Sequence, residues 1–276
     1  GSIVLEMVSD APAGEILGET TKEYTFEACG ETLDMAQLQE IWEAKLEPVY
    51  PYRKAGPTVE PITGILTAPA APKIGVAKPK VIIPVFPGTN CEYDTAKAFA
   101  RAGADPEILV IRNLTPADVT ASCEALVKAI DNSQIVMLPG GFSGGDEPDG
   151  SAKFIASFFR SPAVTEAVRR LLQQRDGLML GICNGFQALI KLGLVPYGDI
   201  RPITPYDPTL TFNTIGRHQS MLVRTRIAST GSPWLSKCEV GEQFTVAISH
   251  GEGRFVAPQE VLDTLVKNGQ VATQYV

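Results

Sequence analysis

From about residue 79 onward, short apolar runs alternate with segments whose apolar residues recur at helical spacing. The apolar runs predict four buried strands, at 81–86, 108–111, 135–138 and 178–182. Helices are predicted between them, at 94–102 and from Thr115-Pro116 to about 130. Strands that are apolar along their whole length are typical of a parallel sheet covered by helices on both faces. The pattern therefore predicts an α/β domain, with ligands bound at the carboxyl ends of its strands.

After Pro202 the pattern changes to shorter and partly alternating runs. Strands are predicted at 221–227, 244–249 and 271–276. These strands either extend the parallel sheet or form an antiparallel flap beside it.

The first 78 residues differ from the rest of the chain. Residues 1–55 predict strands at 2–7 and 24–29 and a helix at 35–46, with Asp34 as its N-cap. This helix carries an apolar stripe made of Leu38, Ile41, Trp42 and Leu46. So few core positions cannot easily fold alone, so we expect residues 1–55 to be the tail of an upstream domain. Residues 56–78, rich in Pro, Ala, Gly and Thr, are predicted to be an extended linker to a domain spanning 79–276.

Composition narrows the functional classes. The net charge of −7 and the pI near 5.0 provide no basic patch, so we expect no nucleic-acid partner. No apolar run approaches the ~18 residues of a membrane helix, so no membrane association is expected. The five cysteines are scattered and form no Cys-x-x-Cys pair, which argues against a disulfide framework or a metal site. A reducing cytoplasm is the expected location.

Cys183 lies in Gly181-Ile-Cys-Asn-Gly185, between a predicted strand and a predicted helix. This is the nucleophile-elbow arrangement with cysteine in place of serine. Its glycines permit a sharp turn and close passage of neighbouring chain, and the positive end of the following helix favours a thiolate. By itself the motif also fits a small buried cysteine in an α/β core.

The loop after the third strand reads Pro139-Gly-Gly-Phe-Ser-Gly-Gly-Asp146. Such a loop can turn backbone N–H groups toward an anion. We predict that the N–H groups of Gly141 and Asn184 form an oxyanion hole. A phosphate cradle is the rival interpretation, but no Gly-Lys-Ser/Thr follows, and a plain glycine-rich loop is the third.

Four motifs in order resemble class I glutamine amidotransferases, and more narrowly the glutaminase domain of phosphoribosylformylglycinamidine synthases. They are Phe86-Pro-Gly-Thr-Asn-Cys91, Pro139-Gly-Gly-Phe-Ser143, the elbow through Gln187, and Ser249-His-Gly-Glu-Gly-Arg-Phe255. The resemblance covers residues 78–276 and implies a flavodoxin-like, three-layer fold with a mainly parallel central sheet. It also implies that residues 1–55 are the end of the synthase portion of the long, fused form.

The resemblance implies a role for each matching residue. Cys183 attacks the side-chain amide of L-glutamine, forms a thioester and releases ammonia. Gly141 and Asn184 stabilise the oxyanion, and the substrate-binding residues are Gln187, Phe142, Ser143 and His250. The glutaminase needs no cofactor or metal of its own. Its partner is the synthase domain of the same polypeptide, which uses ATP and magnesium.

One family feature is absent from this sequence. The family places its base and acid in a His-x-Glu motif near the C-terminus, whereas this chain ends at Gln274-Tyr-Val276 without it. His250-Gly-Glu252 has the spacing but corresponds to a loop near the glutamine site, and His218 is expected to be a loop histidine. We therefore expect a C-terminally truncated glutaminase domain with little activity alone. A catalytically silent binding module and another flavodoxin-like cysteine hydrolase remain the alternatives.

Overall fold

The computed structural model describes residues 2–8, 14–51, 56, 59–62, 75–142 and 151–276, and these fall into two compact units divided at Gly56. In the first unit the elements are β1 (Thr25–Ala28), β2 (Glu31–Asp34) and α1 (Met35–Ala44). In the second, the elements up to the elbow are β3 (Lys80–Val85), α2 (Glu92–Arg101), β4 (Asp105–Val110), α3 (Pro116–Asp131), β5 (Ile135–Leu138), α4 (Lys153–Phe159), α5 (Pro162–Arg169), a π-helical turn (Arg170–Gln174) and β6 (Leu178–Gly181). The elements after it are α6 (Asn184–Leu192), α7 (Leu194–Tyr197), β7 (Thr209–Phe212), β8 (Gln219–Ile227), a 3-10 turn (Pro233–Leu235), β9 (Gln243–His250), β10 (Glu252–Val256), α8 (Gln259–Lys267) and β11 (Thr273–Tyr275).

A four-stranded parallel sheet in the order β4-β3-β5-β6 forms the centre of the second unit. It confirms the predicted α/β class and the four predicted strands to within three residues at each end. Because all four strands are parallel, the loops after β3, β5 and β6 lie at one edge of the sheet. That edge carries the three motifs that the sequence placed there.

Alternate residues of the central strands face two separate apolar cores. Ile82, Val136 and Leu138 contact a large cluster contributed mainly by α3, α4, α5 and α6. Residues of the opposite parity, Val81 and Ile83 among them, contact a smaller cluster that includes Phe99 of α2 and Trp234 of the 3-10 turn. The Trp234 indole donates to the carbonyl of Met179 at 3.2 Å. Burial on both faces explains why these strands are apolar throughout.

The strands after residue 202 form separate antiparallel sheets, as the flap alternative predicted. One sheet has the order β11-β8-β9 and the other pairs β10 with β7. Exposure alternates along β8, which has one face toward the domain and one toward solvent. The interpretation of these strands as extensions of the parallel sheet is wrong.

In the first unit the prediction was partly correct. The strand at 24–29 and the helix at 35–46 are present as β1 and α1, and the Asp34 carboxylate caps the helix by accepting from Ala36 N at 2.8 Å. The predicted strand at 2–7 is wrong, since those residues form no strand. The α1 stripe is exposed, with Trp42 81% accessible. Most of the predicted linker, 57–58 and 63–74, lies outside the described residues.

Candidate active site

The backbone of Cys183 has a conformation that side chains rarely adopt. Its φ of 53° and ψ of −112° lie outside the main allowed regions for residues other than glycine. The residue follows β6 and precedes the first residue of α6, and its side chain is exposed. Strained backbone of this kind persists where the surrounding structure holds it, and it concentrates at functional sites. The predicted elbow is therefore present in geometry as well as in sequence.

The two glycines of the motif, Gly181 and Gly185, are required by close packing and not by backbone conformation, since neither has a positive φ. A Cβ on Gly181 would lie 2.6 Å from the carbonyl carbon of Gly185, and a Cβ on Gly185 would overlap the carbonyl of Leu138. The first turn of α6 thus lies directly against β5 and β6. The strain of the turn is carried by Cys183 itself.

The glycine-rich loop lies beside the nucleophile. A Cβ on Gly140 would be 3.2 Å from the Cβ of Cys183, which is tighter than an ordinary contact, so glycine lets the loop approach the nucleophile without crowding. Gly141, with φ of 126°, forms an isolated antiparallel bridge with Thr89. Asn90 N donates to Gly140 O, and Phe142 N donates to Gly88 O, both at 2.9 Å.

These two flanking bonds make Thr89 and Gly141 a non-hydrogen-bonded pair, so the bridge does not use the N–H of Gly141. The bridge also explains why the motif at 86–91 accompanies the glycine-rich loop at 139–146. The backbone of the first motif holds the start of that loop next to Cys183. A Cβ on Gly141 would lie 2.6 Å from Gly88 O, which ties this glycine to the contact. The predicted oxyanion role of Gly141 and Asn184 stays a prediction.

Gln187 connects the elbow helix to the fourth motif. It is 8% exposed, its Oε1 accepts from Asn184 Nδ2 at 3.2 Å, and its Nε2 donates to Glu252 O at 2.8 Å. The Glu252 carboxylate accepts from the Ser151 hydroxyl at 2.6 Å. Gln187 therefore positions the start of β10 against α6, and its predicted contact with substrate stays a prediction.

The two histidines lie at the paired ends of β8 and β9. His250 Nδ1 donates to Asn213 Oδ1 at 2.9 Å, since the Asn213 amide nitrogen donates to the carbonyls of Arg217 and His250. Among the described residues His250 Nε2 is buried without a partner, and Gly253 covers the ring so closely that a Cβ there would overlap it. Burial, followed by the charge of His218, lowers the pKa of His250. Both effects favour the neutral form of the ring.

The side chains of His218 and Phe142 lie next to each other. Their ring centroids are 6.4 Å apart, His218 Nε2 hydrogen-bonds Ser249 Oγ at 2.9 Å, and Phe142 is 69% exposed. The glycine-rich loop and the end of the antiparallel sheet thus meet through these two side chains. Ser143, also predicted to bind substrate, lies outside the described residues.

The sequence reasoning missed two residues that organise the site, Ser151 and Asn213. Both act through long-range hydrogen bonds, to Glu252 and to the His250 loop, and neither belongs to a recognisable motif. No local pattern in the sequence singles out either residue. In the described ranges no three His, Cys, Asp or Glu side chains cluster in a way that could hold a metal, and no helix is long and apolar enough to cross a membrane.

Comparison with known proteins agrees with this geometry. Residues 78–276 match the family of CobB/CobQ-like glutamine amidotransferase domains. The chain is 34% identical over 196 residues to phosphoribosylformylglycinamidine synthase subunit PurQ of Rubrobacter xylanophilus, covering 71% of this chain and 75% of the relative. It is 38% identical over 197 residues to the subunit PurQ of Mycolicibacterium paratuberculosis, covering 71% and 74%.

A solved structure, that of PurLQS from Thermotoga maritima, superposes with a TM-score of 0.52 at 25% identity and covers 72% of this chain and 75% of that one. The residues that match the family, 78–276, include the parallel sheet, the Cys183 elbow and the glycine-rich loop. The chain therefore belongs to the glutamine amidotransferase family, as a glutaminase domain of the phosphoribosylformylglycinamidine synthase type.

Proposed function

We propose that this chain hydrolyses L-glutamine through Cys183 and supplies the ammonia for formylglycinamidine ribonucleotide synthesis in purine biosynthesis. The observation that carries the proposal is the exposed thiol on strained backbone at the first turn of α6, with Gly140 packed against it. A binding module that lacked chemistry would have no need to hold a cysteine in this conformation.

The reaction has two steps. The Cys183 sulfur attacks the amide carbon of the glutamine side chain, and the carbonyl oxygen becomes an oxyanion beside the N–H groups of Gly141 and Asn184. Collapse of this intermediate breaks the C–N bond, releases ammonia with one added proton and leaves a γ-glutamyl thioester. Water then attacks the thioester, which gives glutamate and restores the thiol.

The proton transfers need a base, and the chain contains only two imidazoles. His250 is committed to Asn213 through Nδ1, and its other nitrogen is buried beneath Gly253. We therefore propose that His250 shapes the loop over the glutamine site and that the base is a different group. This assignment predicts that the His250→Asn variant still forms the thioester.

The released ammonia requires an acceptor. We propose that it passes to a synthase component in the cytoplasm, where ATP and magnesium activate the amide of formylglycinamide ribonucleotide. The relationship to PurQ subunits and to the PurLQS structure supports this partner.

Labelling with a diazo-ketone analogue of glutamine tests the nucleophile, and Cys91 provides a matched control. Cys91 is also exposed, also has a positive φ of 68° and also precedes a helix, but it lacks the elbow. We expect the analogue to modify Cys183 alone, as mapped by mass spectrometry, whereas iodoacetamide should modify both residues. Equal labelling of Cys91 by the analogue, or glutamine turnover by Cys183→Ala, would overturn the proposal.

A further inference from the structure

A groove of about 1010 Å³ lies away from the elbow, at the far end of α6. Its walls come from α4, one face of α5, the last turn of α6 and the segment 200–203. Lys191 in the groove is eight residues beyond Cys183, about 12 Å along the helix. The groove is therefore separate from the candidate active site.

The charge of this groove is opposite to that of the chain. It is lined by five basic side chains and one acidic one in a protein whose net charge is −7. These charged residues are Lys153, Arg160, Arg169, Lys191, Arg201 and Glu166. A concave surface with one sign of charge concentrates ions of the opposite sign.

Arg160 and Lys191 have no carboxylate partner among the described residues. Arg169 is paired with Glu166 and Asp199, and Arg201 with Asp207. Arg160 instead donates to the carbonyl of Lys191 at 2.6 Å, which holds the two unpaired cations next to each other.

Arg201, in the wall formed by the segment 200–203, is held in place by its own contacts. Its guanidinium stacks on the ring of Tyr197, 3.4 Å from the centroid, and hydrogen-bonds Asp207. Its Nε is buried and has no acceptor in the part of the chain that the structure describes. A buried donor without a partner is unfavourable, and an acceptor bound at Arg201 would offset that cost.

We propose that this groove binds a phosphate ester of nucleotide size. The phosphates lie between Arg160, Lys191 and Arg201, because guanidinium groups match phosphate oxygens in a bidentate geometry. The organic part of the ligand lies against the apolar wall formed by Ala156, Ile200 and Ile203. The volume is that of a small-molecule site, which favours a compact ligand over an extended acidic peptide.

Titration calorimetry of the full chain at low salt tests the proposal with ADP and pyrophosphate as probes. The double variant Arg160→Gln/Lys191→Gln removes the unpaired cations and should weaken ADP binding at least tenfold. Lys97→Gln/Lys267→Gln removes two exposed lysines elsewhere and controls for net charge; we expect a change below twofold. Thermal melting and labelling of Cys183 verify that each variant is folded.

The probes separate the sources of the phosphate. ADP binding more tightly than pyrophosphate supports a nucleotide-sized ester with an organic part on the apolar wall. No binding at millimolar ADP, or equal loss in both double variants, overturns the site. Tighter, groove-dependent binding of a glutamate-rich peptide would show a protein partner instead and would also overturn the proposal.

Discussion

Gly185 is the residue at which the elbow has the least freedom, because its α-carbon faces the backbone of β5. A methyl group there would overlap the Leu138 carbonyl, which cannot move without distorting the sheet. We expect Gly185→Ala to lower the free energy of unfolding by about 1–3 kcal/mol, as overpacking does, and to slow labelling of Cys183. Gly251→Ala is the control for stability, since its Cβ would be 4.0 Å from the nearest atom. Urea titration measures both; equal stability of the two variants would contradict this packing.

His250 should make stability depend on pH. Its pKa is lowered in the folded state by burial and by the charge of His218, so the unfolded chain binds the proton more readily. Its contribution is therefore complete above the ordinary histidine pKa of about 6.5 and is lost as pH falls below that value. We expect the free energy of unfolding to fall less between pH 8 and pH 5 in His250→Asn than in the parent chain.

The cause of that shift can be tested separately by NMR titration. His218→Asn removes the charge of the neighbouring ring and leaves burial unchanged, so the pKa of His250 should rise.

The stability measurement has its own contradicting outcome. A pH-independent difference in stability between His250→Asn and the parent chain would show that the residue contributes only packing.

At the scale of elements, the site depends on the attachment of β10 to α6. Gln187→Leu keeps the size of the side chain but leaves the Glu252 carbonyl and the Asn184 amide without this partner. Loss of a buried partner costs about 1–3 kcal/mol. We expect that loss in stability together with slower labelling of Cys183 by the glutamine analogue.

The matched control for this variant is Gln173→Leu, which changes an exposed glutamine in the π-helical turn. It should leave both the unfolding transition and the labelling rate unchanged. If Gln187→Leu kept full stability while the analogue bound less tightly, the side chain would act on substrate rather than on β10.

The central strands and α3 have clear local sequence signals and were predicted correctly. The central strands are apolar on both faces, and Thr115 and Asp118 form a complete capping box at the start of α3. The strand predicted at 2–7 failed because its apolar residues are exposed, with Ile3 85% accessible, and propensity alone does not make a strand without a sheet to join. The Thr89–Gly141 bridge and the Gln187–Glu252 bond join residues 52 and 65 positions apart, and no local pattern encodes such pairings.

In the whole molecule, the segment at 59–62 is hydrogen-bonded to strands of the glutaminase unit. Gln274 of β11 accepts from Ile62 N and donates to Glu60 O, both at 3.0 Å. Arg226 of β8 donates to Ile62 O at 2.8 Å and to Gln274 Oε1 at 3.0 Å. The same side chains thus join the start of the unit to its last strand. The predicted boundary at residue 79 is consequently later than the compact unit that begins at Pro57.

Two truncations test where the stable unit begins. A chain of residues 59–276 keeps these four bonds and should melt at the same temperature as the corresponding transition of the full chain. A chain of residues 75–276 loses the three that involve Glu60 and Ile62, and partly exposed hydrogen bonds are worth about 0.5–1.5 kcal/mol each at most. For a unit of this size, that loss lowers the melting temperature by several degrees. Gln274→Ala in the 59–276 chain should reproduce most of the decrease without removing any backbone, as measured by calorimetry. Identical melting of 59–276 and 75–276 would show that the segment adds nothing and that the predicted boundary near residue 79 is the energetic one.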